Sequence, residues 1–146
     1  MNTDSTNLVV ARVTVRPIPL VTLGSNVAAY GSDSTRWGVD AQVDYRGATL
    51  RGEYIWQDHH VERPNDSGWY GLVAYRVLPW VQLVFRQEQF ERDAISLQRR
   101  VVATTGGVNL EFAAARVRLL ANYVSRKIGD PGVRSSTVIT QIQVRF

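Results

Sequence analysis

The 146-residue chain has no cysteine and only one lysine, Lys127. The first absence excludes a disulfide framework and any thiolate metal site. The second carries more information. Sixteen of the seventeen basic residues are arginine, and the net charge is +4. Soluble surfaces usually mix lysine with acidic residues. An all-but-pure arginine set suits directional recognition of anions, because the guanidinium stays charged and offers a planar fork of donors. A GC-rich genome would produce the same bias without functional meaning. Long apolar runs are also missing, and none approaches the ~18 residues of a transmembrane helix. The N-terminus, Met1 to Asn7, is polar and has neither a basic n-region nor an apolar h-region, so it is not a signal peptide. Residues 1–6 read as a flexible lead-in to one domain over 7–146. With 45% apolar and 21% charged residues, the composition is not that of a disordered chain.

Helical periodicity is scarce, and period-2 alternation is nearly continuous. In the last segment Val138, Thr140, Ile142, Val144 and Phe146 alternate with Gln141, Gln143 and Arg145. Trp37, Val39, Ala41, Val43 and Tyr45 alternate with Arg36, Asp40, Gln42, Asp44 and Arg46. Leu50, Gly52, Tyr54 and Trp56 alternate with Arg51, Glu53 and Gln57. This predicts an all-β protein of about nine strands, at 7–16, 19–30, 35–46, 48–59, 67–77, 79–91, 99–112, 115–126 and 134–146. Soluble strands typically have ~5–6 residues. A strand that crosses a bilayer at ~45° needs ~9–11. Short turns are expected at Pro17-Ile18, Gly47, Leu78 and Ala113-Ala114. Longer loops are expected at 31–34, 60–66, 92–98 and 127–133. Short turns at one rim and long loops at the other are the pattern of an antiparallel outer-membrane β-barrel.

Three features place the apolar face outward. Aromatic residues sort to two levels: Trp37, Trp56, Trp69 and Tyr123 toward the long loops, and Tyr45, Tyr75, Phe112 and Phe146, with Trp80, toward the short turns; Tyr54 counts with these interface aromatics. Trp37 to Tyr45 spans ~26 Å at ~3.3 Å per residue, or ~19 Å along the membrane normal at a ~45° tilt, near the ~25 Å apolar band between aromatic girdles. The apolar face holds many small residues, which lipid accepts and a packed core does not. The chain closes on Ile142, Val144 and Phe146, similar to the C-terminal signal read by the barrel-insertion machinery, with Gln141 where the commonest version has glycine.

The ordered segments Trp37–Tyr45, Leu50–Ile55, Gly68-Trp69-Tyr70 leading to Ala74-Tyr75, Val84-Phe85-Arg86, Val117-Arg118-Leu119 leading to Asn122-Tyr123, and the closing Gln-Val-Arg-Phe resemble the C-terminal half of the phosphate-selective porin O/P family. The resemblance runs from about residue 8 to the end. It implies a bacterial outer-membrane, anion-selective pore of roughly sixteen strands, usually trimeric, with phosphate as its characteristic anion. Nine strands beginning with one that runs toward the short-turn rim then read as the C-terminal portion of such a barrel. The N-terminal strands and signal peptide would be missing.

The faces so assigned put Arg12, Arg51, Arg76, Arg86, Arg116, Arg118 and Arg145 on an anion path, in excess over the inward acids. Arg12, Arg51, Arg86 and Arg118 are expected away from the rims and to contribute most. Pairing of Arg51 with Glu53 and of Glu111 with Arg116 is the wall-network alternative. His59 and His60 read as a solvated loop edge, since adjacent strand residues point apart. No nucleophile has an adjacent base, so no catalytic residue, metal or cofactor is expected. The arginines are spread along the strands and form no patch for nucleic acid. Small anions, outer-membrane lipid and the insertion machinery are the expected partners. A small plugged barrel with a structural or adhesion role and a soluble lipocalin-like binder are the alternative readings.

Overall fold

The computed structural model describes residues 8–31, 34–59, 65–94, 97–112, 116–129 and 132–145. They form one antiparallel sheet of nine strands in chain order. The strands are β1 (Leu8–Ile18), β2 (Val21–Tyr30), β3 (Ser34–Tyr45), β4 (Ala48–His59), β5 (Asp66–Leu78), β6 (Val81–Ala94), β7 (Leu97–Phe112), β8 (Val117–Ile128) and β9 (Val133–Val144). No helix occurs among the described residues. Even the shortest strand has 10 residues and the longest 16, well above the ~5–6 typical of globular strands.

Turn chemistry fixes the hairpins. Arg46 and Gly47 both have positive φ, 45° and 82°. They form the two-residue turn between the partners Tyr45 and Ala48. Positive φ at both positions gives the primed turn, whose twist matches that of the flanking strands. The β1–β2 turn falls at Pro19-Leu20 and not at the expected Pro17-Ile18, because Ile18 pairs with Val21. Pro17 lies where the register breaks between Val15 and Ile18. A bulge there accommodates a residue that cannot donate to the ladder. The β5–β6 turn repeats this device. Leu78 pairs with Val81 around Pro79-Trp80, after a break between Arg76 and Leu78. Trp80 is therefore a turn residue and not the start of a strand. The carbonyls of Leu20 and Trp80 each accept a backbone N–H from the strand beyond, Asp44 and Glu111, at 3.0 and 2.8 Å. The expected turn at Ala113-Ala114 lies outside the described residues.

The sheet has one layer. Every strand contacts only its sequence neighbours. β1 and β9 do not meet, and every residue of both is exposed. Among the described residues only Ala74 and Ala103 are buried apolar side chains, and no large side chain is fully buried. A soluble domain places a second layer over its apolar face. Here that face is open: Leu50, Val73, Tyr75, Leu83, Phe85, Tyr123 and Ile142 are all exposed.

Register keeps the two faces separate across all nine strands. Trp37 opposes Trp56, Val43 opposes Leu50, Leu50 opposes Val73 and Val73 opposes Phe85. The same face continues through Gly106, Tyr123 and Val138. The opposite face carries most of the charge. A one-residue slip anywhere would exchange the faces, so alternation and turn length together specify this pairing.

Candidate functional site

The polar face is the candidate site, and its arginines fall into two groups. In the first group each guanidinium is tied to the wall. Arg12 on β1 donates through Nη2 to both oxygens of Asp40 on β3, at 3.0 and 2.8 Å. The bond passes over Gly24 on β2, where a Cβ would collide with the Asp40 carboxylate and the Arg12 guanidinium. Glu111 holds two arginines, Arg76 at 2.8 Å and Arg118 at 2.7 Å. Arg76 also donates to the carbonyl of Pro79 at 2.8 Å, pinning the β5–β6 turn. This cluster lies at the short-turn rim, where Trp80 stacks on Phe112 with ring centroids 6.2 Å apart. Arg118 is the second residue of β8 and so belongs to the rim, contrary to expectation. Arg36 donates twice to Gln57, at 3.1 and 2.7 Å.

Arg86, Arg51 and Arg126 form the second group. Arg86 bonds Glu88 at 2.6 Å and lies 4.3 Å over the Tyr70 ring. Its Nε is buried with no acceptor. Arg51 pairs across the sheet with Leu72, which pairs in turn with Arg86. Glu53 makes no ion pair with Arg51 and stands in register with Tyr70. Arg126 is in register with Ala103, and Ala103 with Glu88. Neither Arg51 nor Arg126 has a described carboxylate within ion-pair distance.

The arginine excess on this face is smaller than the sequence reading implies. Arg16 falls in the β1 register break, Arg46 is in the β3–β4 turn, and Arg116 and Arg145 flank strands at the short-turn rim. Arg145 donates its backbone N–H to the carbonyl of Arg116 at 2.8 Å, and Glu111 makes no ion pair with Arg116. Asp66 joins the polar face, with its carboxylate 3.2 Å from the His59 ring. His59 is thus a half-buried strand residue paired to an acid, not a solvated loop edge; His60 lies outside the described residues.

Sequence reasoning missed apolar residues on this face, among them Ile55, Leu72, Val84, Leu120, Val124 and Ile139. A signal existed. Adjacent apolar pairs such as Tyr54-Ile55, Leu72-Val73, Val84-Phe85 and Val101-Val102 must place one side chain on each face.

On the apolar face, Trp37, Tyr45, Tyr54, Trp56, Trp69, Tyr75, Phe112 and Tyr123 occupy one continuous side by register. Trp37 and Tyr54 are in tilted ring contact at 5.9 Å. Ile142 and Val144 share this face and are exposed; Phe146 lies outside the described residues. Away from the short turns β6 and β7 pair as far as Ala94 and Leu97 in place of the loop expected at 92–98, and there the same side turns polar: Thr104 donates to Gln87 and Arg100 to Gln89, each at 2.6 Å.

Comparison with models of known protein families finds no match, and comparisons with curated proteins and with solved structures find none either.

Proposed function

We propose that these nine strands form part of the wall of a bacterial outer-membrane β-barrel, and that their polar face lines a path for passive diffusion of small anions. The reading extends the resemblance to phosphate-selective porin O/P, and phosphate as the anion rests on that resemblance. One observation carries it: a single-layer sheet with long strands exposes a continuous apolar face and sets its arginines on the other, with no core between layers. In water such a face would be a large cost. Against lipid it is the required surface, with aromatic residues at both levels. The soluble-binder alternative needs an apolar interior, and the described residues enclose none.

Transport of this kind needs no bond chemistry. An anion keeps a hydrated route and is favoured by guanidiniums that the wall does not neutralise. Arg51 and Arg126 meet that condition best. Arg12, Arg76 and Arg118 shape the wall through Asp40 and Glu111. The trimer and the insertion machinery's use of Ile142 and Val144 belong to the same proposal.

The test is the reversal potential of the refolded full chain in a planar bilayer under a potassium chloride gradient. The proposal expects anion selectivity that declines in Arg51→Gln combined with Arg126→Gln. Cation-selective steps would overturn it. Insertion as β-structure without conductance would overturn conduction by this chain and favour the plugged alternative.

A further inference from the structure

The polar face is more apolar beside Arg51, Arg86 and Arg126 than a path built for inorganic phosphate would be. Leu72 stands directly between Arg51 and Arg86 in register. Leu72, Val84, Val124 and Ile139 line a depression of about 370 Å³ together with Arg86 and Arg126. Orthophosphate is hydrated on every side, and shedding that water needs polar replacements all around it. Five aliphatic side chains, these four and Leu120, supply none, so only Thr105, Asn109 and Asn122 on the remaining lining could replace that water. The aliphatic side chains do suit the body of an organic acid, whose removal from water is favourable. Small-molecule sites commonly combine such apolar lining with a few placed polar groups.

The geometry points to this depression as a subsite for organic carboxylates with an apolar body, such as aromatic acids, in preference to inorganic phosphate. The carboxylate would sit between Arg126 and the edge of Arg86, and the body would lie on Leu72, Val84, Val124 and Ile139. Arg126 lacks a described carboxylate partner. Arg86 lines the same depression and its side chain is 40% exposed. Glu88 also lines the depression, but it is bonded to Arg86 at 2.6 Å, so its charge is already offset. An acceptor for two guanidiniums forms charge-assisted bonds, stronger than neutral ones. The inference refines the pore reading and rests on it for transport, though not for binding.

Two measurements on the full chain separate these claims. Binding of benzoate, acetate and inorganic phosphate is followed by ligand-observed NMR of the protein refolded in detergent micelles. Their relative permeabilities come from bi-ionic potentials in planar bilayers. The expected result is that benzoate binds and permeates better than acetate or phosphate. Arg126→Gln should weaken benzoate about fivefold to tenfold, the size of one lost charge-assisted bond, while Val124→Asn should narrow the gap between benzoate and acetate. Retained heat-modifiable migration on gels shows that each variant has folded. Benzoate binding without conductance would leave the subsite standing and remove the pore. Conductance with phosphate equal to or favoured over benzoate would overturn the subsite and leave the pore. Equal benzoate binding by the parent chain and Arg126→Gln would also overturn the subsite.

Discussion

At the residue scale, what matters is which arginines the wall has already neutralised. Arg12 gives both oxygens of Asp40 a hydrogen bond, and Glu111 is shared by Arg76 and Arg118. Arg51 and Arg126 lack such partners among the described residues. Replacing either with glutamine should therefore shift reversal potentials more than Arg118→Gln, which leaves Glu111 still bonded to Arg76. Equal shifts for all three would mean that pairing does not set selectivity. Gly24 makes a second prediction. A side chain there must displace the Arg12–Asp40 bond. Gly24→Val should lower the gel-shift melting temperature, whereas Gly71→Ala, where a Cβ meets nothing within 4 Å, should not. The sequence revealed that arginines occupy alternate strand positions. It did not reveal their partners, because those depend on register between strands that are distant in sequence. Glu111, for instance, finds Arg76 35 residues away.

At the element scale, alternation was legible because each strand is long and its apolar members fall mostly at one parity. The strand count and most boundaries follow from it. The turn positions were less legible where proline was involved. Pro17 looks like a turn signal, yet a register break absorbs it and Pro19 makes the turn. The parallel between Arg16-Pro17-Ile18-Pro19-Leu20-Val21 and Arg76-Val77-Leu78-Pro79-Trp80-Val81 is readable from sequence and would have located both turns. Alternation also predicts opposite tolerance at neighbouring sites of β3. Ala41 lies on the apolar face and Gln42 on the polar one. Ala41→Arg should cost about 2–4 kcal/mol of membrane-folded stability, the range for arginine at mid-bilayer depth. Gln42→Arg should cost little, since Asp44, now bonded to Gln42 at 2.6 Å, can accept an arginine. Urea titration of folding into liposomes would compare them. A similar penalty at both sites would contradict the face assignment.

At the scale of the whole molecule, the sheet is bounded by two exposed edges. β1 and β9 run in the same direction, and each carries one row of backbone groups with no partner strand. Such groups are costly away from water. Edge amides of β1 and β9 should therefore exchange hydrogen much faster in micelles than amides of β4 to β6, which are paired on both sides. Uniform protection would show that something closes the edges. Nothing in the alternation of any single strand announces where a sheet stops; the expectation of unpaired edges comes from counting only nine strands against a larger barrel.

The absence of cysteine makes the central claim directly testable, because each introduced thiol is unique. Single cysteines would be placed at the neighbouring pairs Ala41 and Gln42, Leu72 and Val73, and Val108 and Asn109. The refolded protein in liposomes would then be treated with a membrane-impermeant maleimide. The account predicts rapid labelling at positions 42, 72 and 109, on the hydrated polar face, and protection at 41, 73 and 108, on the lipid face. Labelling at both members of each pair, or the reverse pattern, would contradict it.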